Sequence, residues 1–156
     1  MAIDDDIKVL ERVPTLAVLG REALRILAIG AETRYVHSGE VLFSTGDPAD
    51  ASYLIQKGSF NLQESASAGT TPPVVAQSGT LLGEFAMLAE TARPMTAIAA
   101  EPSTVLRIPR SLFLKMLEGF PDAASRLRDY IAARANRTAE DMRKITGVLD
   151  PRSRRR

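Results

Sequence analysis

Two periodicities divide the chain. Up to about residue 30 the apolar positions recur at helical spacing. Ile7, Val9, Leu10 and Val13 follow the acidic run Asp4-Asp5-Asp6, and Leu24, Ile26, Leu27 and Ile29 precede Gly30. Acidic side chains suit a helix N-terminus, glycine suits a helix end, and Pro14 separates the two stretches. The pattern predicts two N-terminal helices. From residue 32 short segments such as "TRYVHSGE", "VLFSTGDPAD", "ASYLIQKGS" and "FNLQES" alternate with turn residues, and Gly39, Gly46, Gly58, Gly69 and Gly79 punctuate them. That rhythm predicts short antiparallel strands closing into a small roll or barrel. "AGTTPP" (68–73) reads as a hairpin tip, because Pro72 and Pro73 would interrupt an interior ladder. "PMTAIAAEP" and "STVLRIPR" resume the strand pattern.

Helical spacing returns at residue 111. Ser111 is placed to cap a helix carrying Leu112, Phe113, Met116 and Leu117. Pro121 then suits the first turn of a long helix reaching about Gly147. The apolar stripe of that helix runs Leu127, Ile131, Ala135, Met142 and Ile145, and Arg134 and Thr138 interrupt it. The expected fold is therefore mainly β with flanking helices: an antiparallel β roll with N-terminal helices and two C-terminal helices. Residues 1–150 form one domain, with the roll and its leading helix over about 14–110, the C-terminal helices over 111–147, and a basic tail at 151–156.

Composition narrows the chemistry. The chain has 156 residues, 45% apolar and 25% charged, which is ordinary for a globular domain with a buried core. A net charge of +1 exerts no general pull on nucleic acid or acidic lipid. The absence of cysteine excludes disulfides, thiolate catalysis and cysteine metal sites, and one histidine, His37, cannot build a histidine cluster. No apolar run approaches the ~18 residues of a membrane span, and the acidic start lacks the pattern of a signal peptide. The expected compartment is the cytoplasm.

One segment does not fit a plain core. "LLGEFAMLAETARPMTAIAAEP" (81–102) is nearly apolar, yet it contains Glu84 and Arg93 nine residues apart. Charges are rarely buried without a partner. The two side chains reach water, or meet each other, or await a ligand of complementary charge. A short helix beginning near Glu84 would aim free N–H groups at an anion, and Arg93 could grip a phosphate through two charge-assisted bonds. Gly83 would let the backbone approach closely.

Taken with "GDPADASYLIQKG" upstream, the stretch Gly83-Glu84-Phe85-Ala86-Met87-Leu88, four further residues and Arg93 resembles the phosphate-binding cassette of cyclic nucleotide-binding domains. These are the modules of the catabolite activator protein, protein kinase A regulatory subunits and cyclic-nucleotide-gated channels. The resemblance runs from about residue 14 to 145. It implies a double-stranded jelly-roll type of roll with a short phosphate-binding helix. It further implies that Arg93 holds the cyclic phosphate, Glu84 accepts from the ribose 2′-hydroxyl, and Gly83, Phe85, Ala86, Pro94 and Met95 surround them. Leu62, Val74 and Val75 suit apolar walls for the base or ordinary packing, and Phe85, Met87 and Leu88 suit the core.

Pro94 departs from the family's pattern, which usually has Ala, Ser or Thr there. Proline donates no N–H, and the hydroxyl associated with guanine is missing. By the resemblance Thr138 falls where the catabolite activator's long helix presents a threonine to adenine, with Arg134 one turn earlier. These features favour cAMP as the ligand, with cGMP second, and imply no catalytic residue, metal or further cofactor. The expected function is a sensor that signals to a separate effector chain by movement of the last helix. Only about ten residues follow that helix, so direct DNA binding is not expected. The alternative is a non-binding scaffold with a degenerate cassette, dimerising through Leu127, Ile131 and Met142.

Overall fold

A computed structural model describes the backbone of residues 2–64 and 73–149, and the side chains of residues 3–64 and 73–137. Three helices lead: α1 (Ala2–Glu11), α2 (Pro14–Ala17) and α3 (Arg21–Gly30). Among the described residues ten strands follow: β1 (Glu32–Val36), β2 (Val41–Phe43), β3 (Pro48–Ala49), β4 (Ala51–Lys57), β5 (Ser59–Gln63), β6 (Val74–Gln77), β7 (Leu81–Leu82), β8 (Thr91–Ala92), β9 (Thr96–Ala99) and β10 (Ser103–Pro109). A 3-10 turn, Glu84–Met87, lies between β7 and β8, and α4 (Arg110–Gly119) and α5 (Pro121–Leu149) follow β10. No helix among the described residues is long and apolar enough to cross a membrane.

The strands pair antiparallel throughout, as two four-stranded sheets in the orders β1-β10-β4-β7 and β2-β9-β5-β6, with a β3-β8 ribbon. This is the β roll that the strand rhythm predicts. The expected hairpin around 68–73 has its flanks in place, with Leu62 opposite Val74, while its tip lies outside the described residues.

Within the first sheet β4 is buried on both faces. Successive side chains of a strand point to opposite faces. Tyr53 and Ile55 join Phe60, Ala97, Ala99 and Val105 inside the roll, while Leu54 joins Leu106, Ile108, Phe113 and the helices outside it. The run Ala51–Ile55 is accordingly buried without a break. The outer core gathers Ile7, Leu10, Leu16, Leu24, Leu27, Met116 and Leu127 from all five helices, together with Met87 of the 3-10 turn. The cassette is therefore packed between the roll and the helices.

Three local expectations are corrected. The second predicted helix is split, because Gly20 takes a φ of +89° between α2 and α3. In α3 the buried stripe is Ala23, Leu24, Leu27 and Ala28, so Ile26 and Ile29 face solvent. Ser111 does not cap α4, which starts one residue earlier at Arg110 with Pro109 before it.

Arg110 instead uses its side chain across the fold. Its Nη1 donates to the carbonyls of Ala49 at 2.9 Å, Ala89 at 3.2 Å and Ala86 at 3.4 Å, tying α4 to β3 and to the cassette. Charge-assisted bonds of this kind contribute about 1.5–3 kcal/mol each, less where water shares them. Arg110→Met is expected to lower the melting temperature by about 4 °C, taking ~1.5 kcal/mol at the ~2–4 °C per kcal/mol of a chain this size. A thermal melt checks this.

Candidate ligand site

Two β strands and one turn position Arg93. Its N–H donates to Asp47 O and its carbonyl accepts from Gly46 N, both at 2.8 Å, so the residue is stitched beside the β3-β8 ribbon. The guanidinium then points into the roll, where Arg93 is only 3% exposed. It lies 4.4 Å from the Phe43 ring centroid and 5.4 Å from that of Tyr53. Nη2 donates to Ala51 O at 2.7 Å. Nε and Nη1 are buried with no hydrogen-bond partner. Burial pushes the guanidinium below its ordinary value, with Tyr53, Asp50 and Asp47 opposing that shift.

Gly83 provides the room for this arrangement. It takes φ +73° and ψ +45° as the residue before the 3-10 turn, and a Cβ built there would stand 2.4 Å from Arg93 Nη1. Ser52 Oγ donates to Gly83 O, so neighbouring residues of β4 hold the cassette at both ends, one through Arg93 and one through Gly83. The first N–H of the turn with a partner inside it is that of Ala86, bonded to Gly83 O at 3.0 Å.

Beside Arg93 lies a cavity of about 170 Å³, lined by Ala49, Gly83, Phe85, Ala86, Thr91, Ala92 and Pro94 as well as Arg93 itself. Five of the residues singled out in the sequence thus meet at one place. Glu84 is not among them. Thr15 Oγ1 donates to its Oε1, and Arg134 Nη1 donates to the same oxygen at 2.9 Å. The carboxylate lines a second cavity of about 430 Å³, with Met87, Leu88, Phe113, Leu127 and Ile131 as its apolar walls. The closing ion pair between Glu84 and Arg93 that the sequence allowed does not form; Glu84 pairs with Arg134 instead.

The remaining candidates lie apart from Arg93. Leu62 is half-buried against the inner core, while Val74 and Val75 are exposed on β6. Met95 is half-buried and lies outside both cavity linings. The Thr138 side chain lies outside the described residues, as do those of Met142 and Ile145. Phe85 corrects its expected place in the core: it is 70% exposed, whereas Ala86 and Met87 turn inward. A 3-10 turn has three residues per turn, so four residues cannot all face one side.

Sequence reasoning missed four participants. Phe43 and Tyr53 flank the guanidinium, Ser52 holds Gly83, and Thr15 holds Glu84 from 69 positions away. Strand geometry puts Tyr53 and Ile55 on one face of β4, but a strand buried on both faces does not say in its sequence which face is the inner one. Nothing in the local pattern marks Thr15.

Comparison with known proteins is consistent with this geometry. A family model described as "Cyclic nucleotide-binding domain" matches residues 33–120. The solved structure of a cyclic nucleotide-binding-like protein from Brucella abortus bv. 1 str. 9-941 superposes with a TM-score of 0.64 at 38% identity, covering 74% of this chain and 99% of that one. The N-terminal domain of a transcriptional regulator from Streptomyces coelicolor A3(2) superposes with a TM-score of 0.79 at 26% identity, covering 86% and 94%. Among curated proteins, the "Lysophospholipase NTE1" of Chaetomium globosum is 28% identical over 116 residues, 74% of this chain and 8% of that protein. An uncharacterized NTE family protein of Mycobacterium bovis is 32% identical over 146 residues, 90% of this chain and 24% of that protein. The chain thus spans a minor part of the length of these curated relatives.

Proposed function

The chain belongs to the cyclic nucleotide-binding domain family, and we propose on that footing that it is a regulatory module whose ligand is cAMP in preference to cGMP, bound with its phosphate on Arg93. The observation that carries this reading is the guanidinium with Nε and Nη1 unsatisfied inside the roll. A buried cation is costly unless paired, and leaving two of its donors without acceptors adds to that cost. An anion entering the cavity beside Gly83 would pair the charge and accept from Nη1, which faces Gly83. A cyclic phosphate has one negative charge and exocyclic oxygens that can accept from a guanidinium fork.

The other parts follow from that anchor. The ribose 2′-hydroxyl is read by Glu84, the first residue of the 3-10 turn. Pro94 on the cavity wall supplies neither an N–H nor a hydroxyl, which weakens the grip on phosphate and takes away a contact suited to guanine. Thr138 on α5 is assigned to the adenine. The module binds its ligand without turning it over, and passes the signal on through α5. In the fungal lysophospholipase the matched segment is a small part of a long chain, which supports an output delivered to a separately folded effector.

Thermal melts with each nucleotide test the reading. At about a hundredfold excess over Kd, cAMP is expected to stabilise the protein by ~2.7 kcal/mol, or about 5–10 °C, and cGMP at the same concentration by less. A folded protein that shows neither a shift nor calorimetric heat at high micromolar cAMP returns the module to the scaffold reading.

A further inference from the structure

Polar chemistry is scarce on the wall of the Arg93 cavity. Six of its residues, Ala49, Gly83, Phe85, Ala86, Ala92 and Pro94, have no polar side-chain atom, which leaves Arg93 and Thr91. At about 170 Å³ the cavity is smaller than the ~300 Å³ at which small-molecule pockets usually begin. It suits one end of a nucleotide, and the cation selects the phosphate end. Pro94, directly after Arg93, brings that phosphate neither an N–H nor a hydroxyl. Thr91, two residues before it, carries the wall's one hydroxyl.

The β3-β8 ribbon aligns the two polar groups. Thr91 pairs with Ala49 and Ala92 with Pro48, and the pairing runs on through the backbone of Arg93 to Gly46 and Asp47. Residues i and i+2 of an extended strand point to one face, so Thr91 and Arg93 share a face of the ribbon. Thr91 is exposed and Arg93 is buried, which sets the hydroxyl at the mouth of the cavity and the guanidinium at its floor. Arg110 steadies both sides, because its Nη1 holds the carbonyls of Ala49 and Ala86. The hydroxyl itself is lightly engaged. Thr91 Oγ1 donates to Ala92 O at 3.4 Å, well beyond the about 2.5–3.0 Å of an ordinary O–H···O bond.

We propose that Thr91 donates to an exocyclic oxygen of the cyclic phosphate, supplying from the strand before Arg93 the donor that Pro94 lacks after it. The proposal rests on the nucleotide reading and adds a residue that sets its affinity. Oγ1–H donates and a charged phosphate oxygen accepts, a stronger bond than the long one to Ala92 that it replaces. Arg93 keeps Nη2 on Ala51 O and presents Nη1 beside Gly83. A cyclic phosphate has two exocyclic oxygens, so a donor at the floor and a donor at the mouth serve it without competing.

Titration calorimetry on the wild type, Thr91→Val and Thr91→Ser tests this. The probes are cAMP and the two diastereomers of its phosphorothioate, in each of which sulfur, a poor acceptor, replaces one exocyclic oxygen. Valine keeps the shape of threonine and suits an exposed strand, so the melting temperature without ligand stays within about 2 °C of the wild type. The expected result is cAMP affinity lowered about tenfold in Thr91→Val, the low end for a hydrogen bond to a charged group, and largely kept in Thr91→Ser. For one diastereomer valine changes affinity by less than about twofold, because sulfur already stands where residue 91 would donate. If the wild type binds cAMP and Thr91→Val binds it as tightly, the hydroxyl plays no part and the nucleotide reading stands. An equal loss for cAMP and both diastereomers, or a loss in Thr91→Ser as large as in Thr91→Val, overturns the bond to phosphate. A folded wild type that binds none of the three overturns the nucleotide reading and this inference with it.

Discussion

Replacing Arg93 with methionine is expected to weaken cyclic nucleotide binding at least tenfold, and on the order of a hundredfold, while the melting temperature of the unliganded protein stays within about 4 °C of the wild type. The two halves of that result come from opposite sides of one energy balance. Without ligand the guanidinium leaves Nε and Nη1 unsatisfied in a dry site, and burial already disfavours its charge. Methionine removes that cost and keeps most of the volume. It gives up the bond to Ala51 O and the contacts with the Phe43 and Tyr53 rings, a loss of similar size at roughly 1.5–3 kcal/mol for the bond and about 1–2 for each ring. With ligand bound nothing offsets the substitution, because the phosphate loses a charge-assisted fork. Calorimetry beside a thermal melt reads both quantities. A large drop in stability without ligand would mean that Arg93 is chiefly a structural cation.

Gly83→Ala is expected to cost about 2 kcal/mol of stability, or ~4–8 °C, and to weaken nucleotide binding tenfold or more. Two effects combine. At φ +73° an L side chain is strained by roughly 1–2 kcal/mol. The new methyl would also lie 2.4 Å from Arg93 Nη1, and Nη2 is held by Ala51 O and the ring of Phe43 lies alongside, so the cation has to leave its place. Gly79→Ala isolates the first effect. Gly79 has φ +92° with nothing within 4 Å of a built Cβ, so its substitution should lower stability and leave affinity unchanged. Equal affinity in Gly83→Ala and the wild type would show that close packing of Gly83 on Arg93 does not matter to the ligand.

The cassette was legible because its chemistry is local. Gly83, the start of the 3-10 turn and Arg93 lie within eleven residues, and a cation inside an apolar run is conspicuous wherever it occurs. The strand rhythm was legible for the same reason: alternation and glycine punctuation act over five to ten residues. Phe85 was misjudged because an apolar residue in so short a turn carries no periodicity to say which side it faces. Ser111 was misjudged because the start of α4 is set by Pro109 before it, with Arg110 reaching back to β3 and the cassette, a demand from the tertiary fold that overrides the local preference for a serine cap.

By itself the sequence determined the antiparallel roll between helices and marked Arg93 as a charge in its cassette that needs water, a partner or a ligand. Period-two and helical patterns follow from backbone geometry, and a charge among apolar neighbours needs an acceptor in any fold. Only the tertiary structure decided that Glu84 answers to Thr15 and Arg134 while Arg93 lies against Gly83, Phe43 and Tyr53. Hydrogen bonds and ion pairs act over a few ångströms and are indifferent to distance along the chain, so partners 50 or 69 positions apart are chosen by how sheets and helices pack.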